Sequence, residues 1–444
     1  MRHLAAAVIV ALLLAPGMRA QDSPPEQEGA TADAPQPSPE PEPEPSSDSL
    51  GSKWDRFRDA GRGLTTWNLF DGRLTLRAYG RLQFDATKAR FDDVLAPTIG
   101  EDQTSALDTR RVAAYIKGTI DNHLKYVAGF EFGPDYGLAD LYVEGTDDGL
   151  RVFGYRIGDF RFGYIQEPFS LSRTTSAYDS GFLERSLPTW TFGPGNNVGY
   201  MVQNRARKQR ITWQVGFFSF GRQNDANASV SSLSVTGRVA WRPLYRDGGR
   251  RMVHLAGAYS NRTPRGNTAQ YRTRPEARFV DFLVDTGEFD ASRIELGGLE
   301  AAAVLGPLWL QAEAISCGVT TAEFGDVGFW GSSVEAGYFL TGEVRPYSVL
   351  DASFGRVIPH GNYRKGLPLK RSNGGAFELV GRFSKVDLED SGVRGGTLSD
   401  LGLGFNWYVD ASSKLMLNII RADAGERGEA GIVLLRYQYQ PRIP

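Results

Sequence analysis

The sequence is poor in the residue types on which much enzyme chemistry depends. It has one cysteine, Cys317, so no disulfide can form within the chain. Its four histidines are scattered, and none has the spacing of a metal site. No nucleophile elbow or phosphate-cradling loop is present. We therefore expect no enzyme, no metal and no cofactor, and a barrel hydrolase built on His123 or His254 is the enzyme alternative.

Long apolar runs are also missing after the N-terminus, although hydrophobic residues make up 41% of the chain. This excludes a helical membrane span in that part of the sequence. The N-terminus itself has a basic start at Arg2, a short apolar core over residues 4–14 and a small residue, Ala20. These features predict a signal peptide over residues 1–20 and therefore export from the cytoplasm.

The next segment has almost no apolar residues and no basic ones. Residues 22–50 hold eight prolines and eight acidic residues, and no Lys or Arg. Such a segment cannot bury enough surface to offset its ordering entropy, so residues 21–52 are predicted to be disordered. A periplasmic tether and a tolerated tail both remain open as its role. Residues 53–72 are interpreted as a short periplasmic segment, either an amphipathic helix or the start of the next domain.

The remaining body has only a mild charge bias. Without Arg2, Arg19 and the eight acids of the tail, 48 basic and 44 acidic residues remain, a net charge of +4. This is far from the strongly basic balance of a nucleic-acid-binding protein, so no nucleic-acid partner is expected.

The second half of the chain alternates apolar and polar residues with a period of two. In residues 401–409, Leu401, Leu403 and Phe405 share one face, while glycines and Asn406 share the other. Side chains alternate in this way along a β-strand. Seventeen such segments run from 73–85 to 430–440 and include 347–355. Because bacterial barrels have even strand numbers, we predict an all-β, transmembrane antiparallel β-barrel of about 16 strands over residues 73–444, in a Gram-negative outer membrane.

One connection between the predicted strands is unusually long. Residues 165–195 contain three prolines, several aromatic residues and charges of both signs. A long loop of this composition packs against something, and the lumen of a wide barrel is the natural place. We therefore expect an inward-folded constriction loop that narrows the pore and sets its selectivity.

Several phrases of this sequence, taken in their order and spacing, resemble the phosphate-selective porins O and P of Gram-negative outer membranes. The resemblance covers most of residues 73–439. It implies a sixteen-stranded, homotrimeric barrel in outer-membrane lipid, which passes small anions along rows of Arg and Lys. The phrases lie at residues 109–111, 117–118, 166–170, 184–187, 338–343, 354–357, 375–379, 403–408 and 415–418.

The resemblance and the strand pattern together indicate which basic residues would contact the anion. Alternation puts Arg111 in the lumen, and the resemblance puts Arg173 in the constriction loop and Arg272 and Arg274 in a basic loop run. Glu276 stands where that run would have another Arg, which argues against phosphate specifically. Arg77 and Arg81 share the polar face of the first predicted strand, either as a luminal basic strip or as charges paired across the wall. In the constriction loop, Glu184 and Arg185 are expected to pin the loop by ion pairs.

The functional prediction is passive diffusion of small anions, with phosphate as the first candidate. Arg suits this role because its planar fork matches phosphate oxygens and it stays charged at any relevant pH. A general diffusion porin without phosphate preference and a non-conducting structural or tethering barrel are the alternatives.

Overall fold

The computed structural model of the protein describes residues 66–133, 136–152, 155–221, 231–361 and 374–441. The predicted signal peptide, the acidic segment and residues 53–65 lie outside the described residues. The described part of the segment 53–72 contains a strand and a turn rather than a helix.

Most of the described chain is β-strand, in lengths of up to 18 residues. The short helices are Ala96–Ile99, Leu171–Thr174 and Leu187–Phe192, and the 3₁₀ turns are Ala177–Asp179, Asp247–Gly249, Arg265–Asn267 and Gly425–Arg427. The strands, in chain order, are β1 (Thr66–Leu69), β2 (Leu74–Phe91), β3 (Gln103–Ile120), β4 (Leu124–Glu131), β5 (Gly137–Val152), β6 (Tyr155–Gln166), β7 (Asn196–Ala206), β8 (Ile211–Gly221), β9 (Ser231–Arg246), β10 (Arg251–Pro264), β11 (Thr268–Ala269), β12 (Arg272–Thr273), β13 (Val284–Asp285), β14 (Phe289–Asp290), β15 (Arg293–Leu305), β16 (Leu308–Thr320), β17 (Asp326–Phe339), β18 (Tyr347–Ser348), β19 (Ser353–Phe354), β20 (Ala376–Asp390), β21 (Val393–Tyr408), β22 (Ser413–Asp423) and β23 (Glu429–Tyr439).

Sixteen of these strands form a closed antiparallel barrel. They are β2–β10, β15–β17 and β20–β23, each paired with its neighbours, and the last strand pairs back onto the first through contacts such as Phe84 with Tyr437. The short strand β1 pairs with the beginning of β2, in residues 74–77. The predicted antiparallel barrel of about 16 strands is confirmed.

The alternation of side chains follows the predicted faces. On β21, Leu401 and Leu403 are 57% and 66% exposed and point outward, whereas Asp400 and Asn406 point inward and are buried. The outward apolar side chains recur along neighbouring strands and form the surface that a bilayer would contact. In the described ranges, no helix is long and apolar enough to cross a membrane.

The two ends of the barrel differ in their connections. At one end, which we call the turn rim, residues 121–123, 207–210, 247–250, 306–307 and 409–412 make tight turns. Asp121 and Asn122 there have φ of 49° and 62°, the left-handed geometry that matches the twist of a hairpin. The other end, the loop rim, carries the long connections at residues 92–102, 167–195 and 265–292.

One predicted strand is wrong. Residues 347–355 contain only the two-residue strands β18 and β19, and β17 pairs directly with β20, from Trp330 with Asp387 to Phe339 with Glu378. They belong to a turn-rim insert, residues 340–361, that folds into the barrel. Tyr347, Ala352 and Phe354 are buried there. Their apolar pattern resembled a wall strand because they pack against the inner face of the wall.

Candidate functional site

The inner face of the barrel is packed more densely on one side than on the other. Inward side chains on β9–β10, β15–β17 and β20–β23 are mostly buried, such as His254, Leu296 and Ile315, at 1% exposure or less. On β2–β6 some inward side chains, such as Arg77 and Lys117, are partly exposed, whereas others, such as Gln83 and Glu131, are buried. In the described part of the chain, the partly exposed inward side chains therefore lie mainly on β2–β6. We call the inner face of these strands the open wall and the space beside it the open path.

The filling consists of three segments. They are the turn-rim insert, a loop-rim insert (residues 265–292) and a crossing segment (residues 167–195), which is the predicted constriction loop. The crossing segment does fold inward, as predicted. Its first residue, Glu167, is fully buried and fixes the segment to the wall, because it accepts hydrogen bonds from Arg262 at 2.8 Å and Thr236 at 2.6 Å.

The crossing segment spans the lumen from wall to wall. On one side Glu313 of β16 accepts hydrogen bonds from the Ser172 backbone N–H at 2.9 Å and from the Ser170 hydroxyl at 3.1 Å. On the far side Asn418 accepts from the Leu183 N–H at 2.9 Å, and Gln438 donates to the Tyr178 carbonyl at 2.9 Å. Polar side chains of distant strands thus fix the segment across the barrel.

Where the crossing segment meets the open wall, several arginines converge. A bulge in β3 at Arg110 interrupts the register opposite Gln83 and Phe84. Because of this bulge, the side chains of the consecutive residues Arg110 and Arg111 both lie on the lumen side of the wall. Arg110 donates to Glu184 at 2.7 and 3.0 Å, and Arg436 donates to the same carboxylate at 2.8 Å. Burial alone would raise the pKa of Glu184, but these two arginines lower it well below its usual range.

Arg173 and Arg185 lie in the crossing segment beside this cluster, and backbone carbonyls hold them. Arg173 Nε donates to the Pro194 carbonyl at 2.8 Å, and Arg185 Nε donates to the Ser172 carbonyl at 3.1 Å. Burial lowers the pKa of Arg185, and the charges of Arg173 and Arg111 lower it further. Carbonyl partners position these guanidinium groups without neutralising them. The predicted ion pair of the loop therefore belongs to Glu184, while Arg185 is anchored to backbone.

Aromatic rings frame the next cation along the open wall. The Arg81 guanidinium carbon lies 4.7 Å from the ring centroids of both Tyr115 and Tyr178, and 5.4 Å from that of Tyr79. Tyr79 and Tyr115 stack at 5.1 Å, and Lys117 lies 5.3 Å from the Tyr79 ring. The Arg81 Nε and the Tyr178 hydroxyl are buried, and neither has a hydrogen-bond partner among the described residues. Both atoms are donors that an anion oxygen would satisfy. Arg77 continues the same inward face toward the turn rim.

Arg272 and Arg274, the basic run of the loop-rim insert, approach the Glu184 cluster from the loop rim. Arg272 and Arg274 both lie 4.3 Å from the centroid of the Phe282 ring. Burial and the charge of Arg278 lower the pKa of Arg274, whose charge also interacts with Glu184. The predicted residues Arg111 and Arg173 therefore lie in the cluster at Glu184, while Arg77, Arg81, Arg272 and Arg274 extend the set in both directions.

Glu276, the acid in that run, does not face the open path. It is 5% exposed, and its carboxylate accepts hydrogen bonds from Arg382 and Ser384, both at 2.7 Å. It also accepts from the Leu187 N–H at 3.2 Å, which joins the loop-rim insert to the crossing segment. Burial raises the pKa of Glu276, against the effect of Arg382. Its charge is paired inside the filling, so it does not oppose anions in the lumen.

Sequence reasoning missed some residues of the site. Arg110 was not singled out because strict alternation puts it opposite Arg111, and the bulge that changes this has no signal in the sequence. Arg436 was missed because its role depends on Glu184, 252 residues away. His254, considered as an enzyme residue, is buried between Tyr347 at 2.7 Å and Glu300 at 3.2 Å, where it fastens the turn-rim insert.

Comparisons with known proteins agree with this architecture. The family model for phosphate-selective porin O and P matches residues 76–440. Porin O of Pseudomonas aeruginosa is 24% identical over 388 residues, which cover 79% of this chain and 84% of that protein. Among solved structures, an anion-selective porin from Comamonas acidovorans is similar with a TM-score of 0.53 at 12% identity, covering 83% of this chain and 100% of the other. A loop-deletion mutant of OmpT from Vibrio cholerae is similar with a TM-score of 0.51 at 11% identity, covering 83% of this chain and 100% of that chain.

The family model covers most of the chain, and the closed sixteen-stranded barrel has the fold of these solved porins. The protein therefore belongs to the phosphate-selective porin O and P family and is a porin of the Gram-negative outer membrane.

Proposed function

We propose that this porin passes small anions by diffusion along the open wall, with phosphate as the first candidate. The observation that carries the proposal is the charge balance where the crossing segment meets that wall. Five arginines lie there, namely Arg110, Arg111, Arg173, Arg185 and Arg436. The carboxylates paired with them are Glu184, Glu131 and Asp85, which leaves a net charge of +2.

This arrangement favours anions for an electrostatic reason. The guanidinium groups of Arg173 and Arg185 bind carbonyl oxygens, so their charges still act on the lumen. In a narrow path between low-dielectric walls, such a net charge raises the local concentration of anions. Arg272, Arg274, Arg81 and Arg77 continue the basic path on either side of the cluster, and a series of weak sites lets an ion move from one to the next.

Phosphate fits the donors that line the path. Guanidinium forks bind phosphate oxygens in pairs, and the free donors at Arg81 and Tyr178 suit a group with several oxygens. The name of the family points to the same solute. The buried pairing of Glu276 removes the main sequence argument against it.

Association as a homotrimer is part of the same proposal. Strand β4 has only eight residues, fewer than the roughly nine to eleven that a strand needs to cross a bilayer. Phe132 and Tyr136, at 56% and 64% exposure, pack around Phe130 at the loop end of this strand. A second copy of the chain would cover this part of the wall, where the strand is short and aromatic side chains are exposed.

The test is the zero-current potential of the purified protein in a planar bilayer under a salt gradient. We expect an anion-selective potential and a chloride current that low concentrations of phosphate block. Removal of one charge about 5 Å from the ion path is worth about 0.8 kcal/mol even at the dielectric constant of water, or roughly a four-fold change in selectivity. Arg111→Ala and Arg173→Ala should each lower the anion preference by about this factor.

Arg394→Ala is the matched control, because this arginine is 79% exposed at a loop-rim turn and lies outside the cluster. It should leave the selectivity unchanged. A cation-selective potential would refute the proposal. Anion selectivity without phosphate block would leave a general anion porin, and absence of channels would favour the structural barrel.

A further inference from the structure

The turn rim carries a concentrated positive charge that the conduction path does not use. Two neighbouring turns, at residues 207–210 and 247–250, and the strand ends beside them hold seven basic residues and one acid, Asp247. The seven, which we call the turn-rim basic patch, are exposed: Arg205, Arg207, Lys208, Arg210, Arg246, Arg250 and Arg251.

Among the described residues, one ion pair is found in this patch. Arg251 Nε binds Asp247 at 2.8 Å, and Arg210 donates to the Pro243 carbonyl at 2.7 Å. The remaining side chains have no carboxylate within ion-pair distance in the described part of the chain. The patch therefore has a net charge of +6.

Two of these arginines point to the outer surface of the barrel. Arg246 and Arg251 are register partners on β9 and β10, and Arg251 is in turn opposite Leu305 on β15. Leu305 is 48% exposed on the outer face, and Trp241, on the same face of β9, is also 48% exposed. The two arginines thus end a strip of apolar side chains, at the level where the acyl region of a bilayer gives way to headgroups.

The pairing of these two arginines is unfavourable by itself. Like charges directly opposite each other on one face of a sheet destabilise it, and their Cα atoms are only about 5 Å apart. Asp247 offsets one of the two charges. An anion at the membrane surface would offset the other, whereas a soluble partner would not be placed beside Leu305 and Trp241.

We infer that the turn-rim basic patch binds the phosphate groups of anionic phospholipids, with Arg246 and Arg251 as its lipid-facing contacts. In barrels of this class the short turns face the periplasm, so the lipid belongs to the periplasmic leaflet. A basic residue in contact with an anionic membrane surface contributes about five-fold to binding at low salt, so the contribution falls on the outward-facing Arg246 and Arg251 more than on the residues at the tips of the turns. The inference concerns the outer surface of the barrel and does not depend on the proposed anion conduction.

The experiment measures which lipids stay with the protein. The full-length porin is reconstituted into bilayers of phosphatidylcholine with a few per cent phosphatidylglycerol, extracted in mild detergent, and analysed by mass spectrometry for bound lipid. We expect phosphatidylglycerol to be enriched over phosphatidylcholine, and the enrichment to fall with added salt. Arg246→Gln/Arg251→Gln should reduce the enrichment by about five-fold or more.

Arg207→Gln/Lys208→Gln is the matched control, because it removes the same charge from the tip of a turn. It should reduce the enrichment much less than the outward pair does. Channel conductance of all variants in the same bilayers verifies that they fold. Equal retention of the two lipids by the wild type, or equal effects of the two double variants, would overturn the inference. Complete displacement of phosphatidylglycerol by millimolar inorganic phosphate would also overturn it, because the patch would then be a site for free anions.

Discussion

Replacement of Glu300 by Gln should release the turn-rim insert from the wall while leaving the barrel closed. Glu300 forms a two-point ion pair with Arg238, at 2.9 and 2.6 Å, and both side chains are almost completely buried. Arg238 also donates to the carbonyls of Asp351 and Ala352, at 3.2 and 2.9 Å. This one arginine therefore joins the carboxylate of the wall to the backbone of the insert.

The magnitude follows from the loss of a buried counter-ion. Removal of one partner of a buried ion pair destabilises the folded protein by about 3–5 kcal/mol, because the other charge stays in a poorly solvated place. The strands of the wall keep their backbone hydrogen bonds, so Arg238 is expected to turn toward water and leave the insert. A local cost of about 3 kcal/mol corresponds to roughly a hundred-fold rise in amide exchange. Hydrogen exchange followed by mass spectrometry over residues 345–357 measures it.

Glu276→Gln is the matched comparison for this prediction. It also removes a buried carboxylate, but Arg382 keeps a second partner in Glu335 at 2.8 Å. We expect a much smaller change in exchange at residues 345–357 from this variant. Unchanged exchange in the Glu300 variant, or equal changes in both variants, would refute the reasoning that a lone buried arginine releases the insert.

The ion pairs of Glu184 and the close packing at Gly337 can be tested separately. Because Arg110 and Arg436 hold the pKa of Glu184 well below its ordinary value of 4.5, its stabilising ion pairs are present above that value and are lost only as the pH falls through the lowered pKa. Single-channel conductance should therefore not change through Glu184 between pH 7 and about pH 5, and a step that Glu184→Gln abolishes within this window would contradict the assignment. Gly337→Ala should destabilise the barrel by about 1–3 kcal/mol, because the new Cβ would overlap the buried Trp309 ring, which is fixed by a 2.8 Å hydrogen bond to Glu378. The urea midpoint of refolding into detergent micelles measures this effect, with Gly318→Ala, where nothing lies within 4 Å, as the control.

The sequence was a good guide to the barrel and a partial guide to its interior. Alternation with a period of two predicted the wall, because each strand has lipid on one side and polar side chains on the other, as residues 401–409 illustrate. The same signal failed at residues 347–355, because apolar residues that pack against the inner wall resemble those that face lipid. The inserts are held by contacts between residues far apart in the chain, such as Arg238 with Ala352, and no local pattern reports them.

For the site, residue type and the alternation of strands were sufficient to select Arg111, Arg77 and Arg81 as inward cations. They were not sufficient to separate the charges that act on the lumen from those that are paired within the protein. Glu276 and Arg274 are two residues apart in the same run, yet one is locked to Arg382 and the other lies beside Phe282 near the open path. That difference depends on the path of the loop-rim insert through the barrel.

The way in which the crossing segment is held also sets the order in which the protein can mature. Its Glu184 and Tyr178 are fixed by Arg436 and Gln438 of the last strand, which follow them by 252 and 260 residues. These contacts do not exist until the whole chain has been synthesised and β23 has closed onto β2. The strand that closes the barrel is therefore also the strand that completes the fixing of the crossing segment, so neither can be finished before the other.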